Sequence, residues 1–135
     1  MKKMSKPTRE DASLFVQIFG IAIADEKYSK ALEWFNLEMN EKNYEDFKKK
    51  NPLGSEGYKN FSRLCNYWEL VGTLMNKELL SEDLLFDLLG DMNWSKTKPI
   101  VYGLREDLNM PRFMENYEVC ARMYPEWAKQ NPIKI

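Results

Sequence analysis

From Ser55 to Lys77 the apolar side chains Phe61, Leu64, Cys65, Trp68, Val71, Gly72 and Met75 recur at three- and four-residue steps. A β-strand, whose faces alternate every second residue, cannot gather that set onto one side. Tyr67, Leu70 and Leu74 widen the stripe, so a helix here must bury most of its circumference. Its polar residues Ser62, Asn66, Glu69, Thr73 and Asn76 form one narrow seam spaced 4, 3, 4, 3. A helix that is apolar on most sides needs other helices around it.

The rest of the chain supplies them. Thr8 followed by Asp11 makes a capping-box start for a helix running from Arg9 to about Ala24. That segment is apolar nearly all round and reads as a central, buried helix. Tyr28, Leu32, Phe35 and Met39, joined by Trp34, mark a second helix, either separate from the first or continuous with it. Asn43, with Glu45 and Asp46 behind it, caps a short helix that ends on Lys48-Lys49-Lys50, and Asn51-Pro52-Leu53-Gly54 turns the chain. Ser81-Glu82-Asp83 opens another helix, which Gly90 stops. A segment from Asp91–Ser95 to about Leu108 carries Pro99, tolerable in its first turn or as a kink. Pro111 is placed as the first residue of a last helix whose stripe is Phe113, Tyr117, Cys120, Ala121 and Tyr124. Pro125 is expected to break that helix. No period-2 segment of useful length and no internal repeat of 20–50 residues is present.

Charge and composition exclude several functions. Twenty basic residues stand against twenty-one acidic ones, so the excess of positive charge that a general nucleic-acid binder needs is missing. The Lys48–Lys50 run reads as a solvated helix end. The chain contains no His, which removes the commonest general base and the commonest metal ligand together. Cys65 and Cys120 form no Cys-x-x-Cys pair and read as two buried, reduced thiols, with a disulfide or a reactive thiol as the alternatives. Lys2, Lys3, Lys6 and Arg9 ahead of Leu14–Ala24 resemble a signal peptide, but Glu10 and Asp11 stand where positive charge belongs. The run has about eleven residues, against the ~20 needed to span a bilayer. Stable membrane insertion is therefore not expected, and the location expected is the cytoplasm.

Catalytic signatures are also missing. There is no Gly-x-Gly phosphate loop, serine elbow or zinc pattern. Asp91-Met92-Asn93-Trp94-Ser95 begins like a calcium loop but has Lys96 where Gly is required and Tyr102 where Glu is required. Asn60-Phe61-Ser62 and Asn93-Trp94-Ser95 match the glycosylation sequon, which a cytoplasmic protein would not use. No catalytic residue, cofactor or metal is assigned. The two inward acids, Glu69 and Glu118, read as structural, since a buried carboxylate is costly unless paired and Arg is its best planar partner. Of Arg63, Arg105 and Arg112, the expected pairing joins Glu69 or Glu118 to Arg105 or Arg112, tying the central helix to the last two. Asn66, Glu69 and Thr73 could alternatively form a polar ligand-binding seam, or face solvent.

Several stretches resemble a known family: Tyr58-Lys59-Asn60-Phe61, Trp68-Glu69-Leu70-Val71-Gly72, Lys77 to Leu85, a Trp94 segment, and Pro111-Arg112-Phe113 leading to Asn116-Tyr117-Glu118. Together they resemble an uncharacterised bacterial all-helical family catalogued as a domain of unknown function. The resemblance implies a helical fold and no particular activity. Many members of that family carry an N-terminal membrane helix, whereas this chain has the short run Leu14–Ala24.

The expectation is an all-α protein: one compact bundle of six or seven helices with a long central helix near 55–77. Residues 1–7 form a flexible basic tail and 8–131 a single helical domain. The expected function is a non-enzymatic protein-interaction or regulatory module, with Met4, Met92, Met110, Met114 and Trp127 as candidates for the partner surface. The alternatives are a small-ligand sensor using the Asn66–Glu69–Thr73 seam, a nucleic-acid binder using the lysines, and an enzyme using carboxylates.

Overall fold

In the computed structural model, which describes residues 6–135, the chain folds into seven helices. These are α1 (Arg9–Ala24), α2 (Glu26–Leu37), α3 (Tyr44–Lys50), α4 (Glu56–Asn76), α5 (Glu82–Leu89), α6 (Trp94–Asp107) and α7 (Glu115–Gln130). No strand occurs among the described residues, so the expected all-α bundle is the fold. Of the basic tail at 1–7, residues 1–5 lie outside the described residues, and Met4 with them.

Side-chain caps set five of the helix starts. Thr8 and Asp11 form a reciprocal capping box, with the Asp11 amide donating to Thr8 Oγ1 at 3.1 Å and the Thr8 amide to Asp11 Oδ2 at 2.8 Å. Asp25, Asn43, Ser55 and Ser81 each accept an amide hydrogen from the first turn of α2, α3, α4 and α5. Asp25 separates α1 from α2, because its extended backbone stops the first helix while its carboxylate starts the second. Gly90 ends α5 in a left-handed conformation, φ 58°. α6 ends with the amide of Met110 bonded to the carbonyl of Arg105 and that of Asn109 to Glu106, a Schellman closure with Asn109 left-handed.

The long helix α4 is the centre of the bundle. It packs against α2 and α7, while α3 packs on α6 and α1 touches α2 and α5. Trp68 shows why α4 holds this place: its ring centroid lies 5.5 Å from Phe35 of α2 and 5.5 Å from Tyr117 of α7. Phe61, Leu64, Cys65 and Val71 are sealed beside it. Burial of this stripe is the main stabilising term, at roughly 1.5–3 kcal/mol for each large apolar side chain.

Three expectations fail, each where the packing of helices decides against a local rule. First, α1 is not a central helix: Ala22 is its single buried residue, and Val16, Ile21 and Ile23 are 68%, 72% and 65% exposed. It lies on the outside, where Leu14, Phe15 and Ile18 meet the core and the opposite face meets none of it. Second, α7 begins at Glu115, four residues after Pro111. The intervening turn ends in a left-handed Met114, held while Arg105 Nε donates to the Phe113 carbonyl at 2.7 Å. Third, Pro125 does not break α7, which continues to Gln130. Trp127 keeps the last turn in place: its ring lies 6.0 Å from Phe86, and its Nε1 donates to Asp83 at 3.1 Å. Of the two settings expected for Pro99, the first turn is not the one used: it sits past that turn, inside α6. Its missing donor falls opposite Ser95, an exposed position where water can take the freed carbonyl.

Candidate functional site

The polar seam of α4 meets the start of α7. Met114, the N-cap of α7, offers no side-chain acceptor, so the first amides of that helix need partners from elsewhere. Glu69 supplies one of them: its Oε1 accepts the Tyr117 amide at 2.8 Å, and its Oε2 accepts the side-chain Nδ2 of Asn116 at 3.1 Å. One carboxylate from α4 thus does for α7 what a capping residue normally does within its own chain segment. It also places negative charge at the positive end of the helix dipole.

Two turns further along α4, Asn76 Nδ2 donates to both the backbone and side-chain oxygens of Asn116, each at 3.1 Å. Gly72 lies between these two contacts. A Cβ added there would fall 2.6 Å from the Asn116 carbonyl oxygen and 2.9 Å from the Tyr117 nitrogen. Glycine is therefore required by close approach, with backbone rather than a flexible side chain as the obstacle.

The structure places the seam residues Asn66, Glu69 and Thr73 in three different settings. Asn66 is exposed, Glu69 is engaged by α7, and Thr73 Oγ1 donates to the Glu69 carbonyl at 2.7 Å within its own helix. Glu69 meets neither Arg105 nor Arg112. Arg105 and Glu118 do come together, with Nη1 to Oε1 at 2.8 Å, both largely buried. Arg122 contacts the other Glu118 oxygen at 2.8 Å, and Tyr102 donates its hydroxyl hydrogen to that same oxygen. Burial alone would raise the Glu118 pKa. The hydrogen bonds from Tyr102 and Arg105, with the charges of Arg105 and Arg122, outweigh burial and hold it below the ordinary carboxylate value. Arg112 lies on the surface instead and pairs with Glu115 at 2.7 Å, so it ties no helices together.

Two further polar contacts escaped sequence reasoning. Tyr117 is buried, shares a 2.9 Å hydrogen bond with Thr97 and donates to the Met92 carbonyl at 2.5 Å. Burial pushes its phenol well above the usual range. Lys96 donates to the Phe35 carbonyl and sits 4.1 Å from the Phe35 ring centroid. Burial, and then repulsion from Lys42, lowers its pKa, while Glu41 opposes the shift. The sequence signal for both was weak: a Thr and a Lys inside a helix read as surface residues.

The remaining candidates are distributed as follows. Cys65 and Cys120 are both buried and free. Burial raises both thiols, that of Cys120 to about 12, so neither forms a ready thiolate. In the lysine run, Lys48 pairs with Asp107 at 2.9 Å and Lys50 with Glu41 at 3.5 Å. Arg63 makes a long contact with Asn60. Met92, Met114 and Trp127, proposed from the sequence as partner-facing, are core residues; Met110 is exposed. Met92 and Met114 lie in the turns before α6 and α7, where a stripe-based reading of single helices cannot show burial. No group of three or more Cys, Asp or Glu arranged to hold a metal occurs among the described residues. No helix among them is long and apolar enough to cross a membrane.

Of the three residues that looked most like a ligand site, Glu69 is thus occupied in holding α7 to α4. Comparison with known proteins agrees in naming no activity. A family model described as Domain of unknown function (DUF4760) matches residues 7–127. No curated protein and no solved structure matches the chain.

Proposed function

This chain belongs to the DUF4760 family, and from that premise we propose that it is a non-enzymatic protein-interaction module which docks a protein through the outward face of α1. The observation that carries this reading is the exposure of Val16, Ile21 and Ile23 on a helix with no charged residue from Ala12 to Ala24. Single exposed apolar residues are ordinary, but a contiguous uncharged helical face is the usual mark of a surface that another molecule covers. Phe15 and Phe19, stacked at 6.0 Å, stiffen the helix next to that face. Tyr67 of α4 anchors it from behind by donating to the Ile18 carbonyl at 3.1 Å. The buried and unpaired state of Cys65 and Cys120 supports a cytoplasmic setting.

The test compares wild type with the double substitution Val16→Glu, Ile23→Glu. Both positions face outward, so the variant should keep its circular dichroism and its melting temperature. Native mass and affinity capture are then run side by side on the two proteins. The reading requires a protein, either a second copy or another chain, that wild type holds and the variant loses. Identical masses and identical captured sets would refute it.

A further inference from the structure

A second surface, separate from α1, lies between α2 and the start of α4, where a groove of about 510 Å3 opens. That volume falls within the ~300–1,000 Å3 of typical binding sites. Its α2 wall carries Lys30, Glu33, Trp34, Leu37 and Glu38, which share one helical face over about 12 Å. Its α4 wall carries Glu56, Gly57 and Asn60.

Three properties of this groove point to one kind of occupant. Its charge is negative, since Glu33, Glu38 and Glu56 stand against Lys30, and Lys30 already pairs with Glu26 at 3.3 Å. Its apolar part is uncovered: Leu37 is 77% exposed and Trp34 half-buried. Asn60 adds an independent sign. It is 9% exposed and lines the groove, yet its carboxamide makes one contact alone, from Arg63 Nη1 to Oδ1 at 3.5 Å. Its Nδ2 hydrogens have no acceptor within the fold and are not sealed from solvent, so a group entering the groove can accept them.

We propose that this groove docks a short, extended, basic peptide segment of a partner protein. The aliphatic stems of Lys or Arg side chains lie on Trp34 and Leu37, and their cations face Glu33, Glu38 and Glu56. A peptide carbonyl accepts from Asn60 Nδ2. The length of the α2 wall favours a peptide over a small cation, because about 12 Å is the reach of roughly four extended residues. Gly57 is fixed by packing against Asn51, whose Oδ1 lies 1.8 Å from the position a Cβ would take.

The experiment is a titration of the full-length, 15N-labelled chain with the capped peptide acetyl-Lys-Arg-Leu-Lys-Arg-amide, and in parallel with arginine amide. The expected result is saturable shifts of the Trp34 indole, the Gly57 amide and the Asn60 carboxamide. Affinity should fall about tenfold in a Glu33→Gln, Glu38→Gln variant, and also when salt is raised from ~0.05 to ~0.5 M. Three results would each overturn the proposal: no saturable shift at those groups, shifts that the double variant leaves unchanged, or arginine amide binding as tightly as the peptide. The last would make the groove a small-cation site. Repeating the titration on the Val16→Glu, Ile23→Glu protein should give the same affinity, so this proposal and the α1 reading fail separately.

Discussion

Replacing Gly72 with Ala adds one methyl group at the tightest point between α4 and α7. The new Cβ would stand 2.6 Å from the Asn116 carbonyl oxygen and 2.9 Å from the Tyr117 nitrogen, against a normal contact near 3.5 Å or more. These obstacles are backbone atoms at the start of a helix, so relief requires α7 to shift outward. Overpacking of this kind costs about 1–3 kcal/mol. The shift also stretches the hydrogen bonds from Tyr117 and Asn116 to Glu69 and from Asn76 to Asn116. Weakening them adds ~1–2 kcal/mol, because one partner is a carboxylate. Helix propensity opposes both terms, Ala being better than Gly by about 1 kcal/mol. The net expectation for Gly72→Ala is a loss of ~1–4 kcal/mol.

Gly20→Ala provides the control. It is the same substitution inside a helix, but a Cβ there meets nothing within 4 Å, so propensity acts alone. It should stabilise the protein by ~0.5–1 kcal/mol. Urea denaturation followed by tryptophan fluorescence measures both, with the shift in midpoint read at constant slope. If Gly72→Ala proves as stable as wild type, the close approach of α7 to α4 is not as described, and the account of the seam fails with it.

Three further outcomes follow from the same geometry. The folded pKa of Glu118 lies below its unfolded value of 4.5, so its stabilising contribution is complete above that value and is lost as pH falls through the folded pKa. Glu118→Gln should therefore cost ~1–3 kcal/mol at pH 7, and urea midpoints should show the gap to wild type closing as pH falls from about 5 towards 3. Tyr117→Phe leaves the Met92 carbonyl and the Thr97 hydroxyl without their buried partner, at a cost of ~1–3 kcal/mol with the aromatic packing retained; thermal melts measure it. Cys65 and Cys120 should resist a thiol-specific chromogenic reagent in the native protein and react fully in denaturant. Fast labelling of either in the native state would contradict their burial.

The local features of the chain could be read from its sequence. Thr8, Asn43 and Ser81 cap the helices they were expected to cap, because a capping bond spans three residues and needs no tertiary contact. The stripe on α4 was equally legible, since a helix brings residues three and four apart onto one face whatever surrounds it. The pairing of Glu118 was half legible: a buried acid calls for an Arg, but the sequence could not choose between Arg105 and Arg112. The choice depends on the turn at Met110–Met114, which carries Arg112 to the surface.

The role of Glu69 was not legible. Its partners, the Tyr117 amide and the Asn116 side chain, lie 48 and 47 residues away. A backbone amide leaves no mark in the sequence as a partner. The same limit explains Pro125, where a local rule predicts a break and the packing of Trp127 on Phe86 carries the helix through.

The sequence by itself determined that this protein is helical, where most helices start, and which face of α4 is buried, because those properties arise within about two turns of chain. Only the tertiary structure decided that the seam of α4 holds α7 and that α1, the most apolar run, lies outside with an uncovered face. Those outcomes depend on which surfaces meet, and hydrophobicity drives burial without specifying the neighbour.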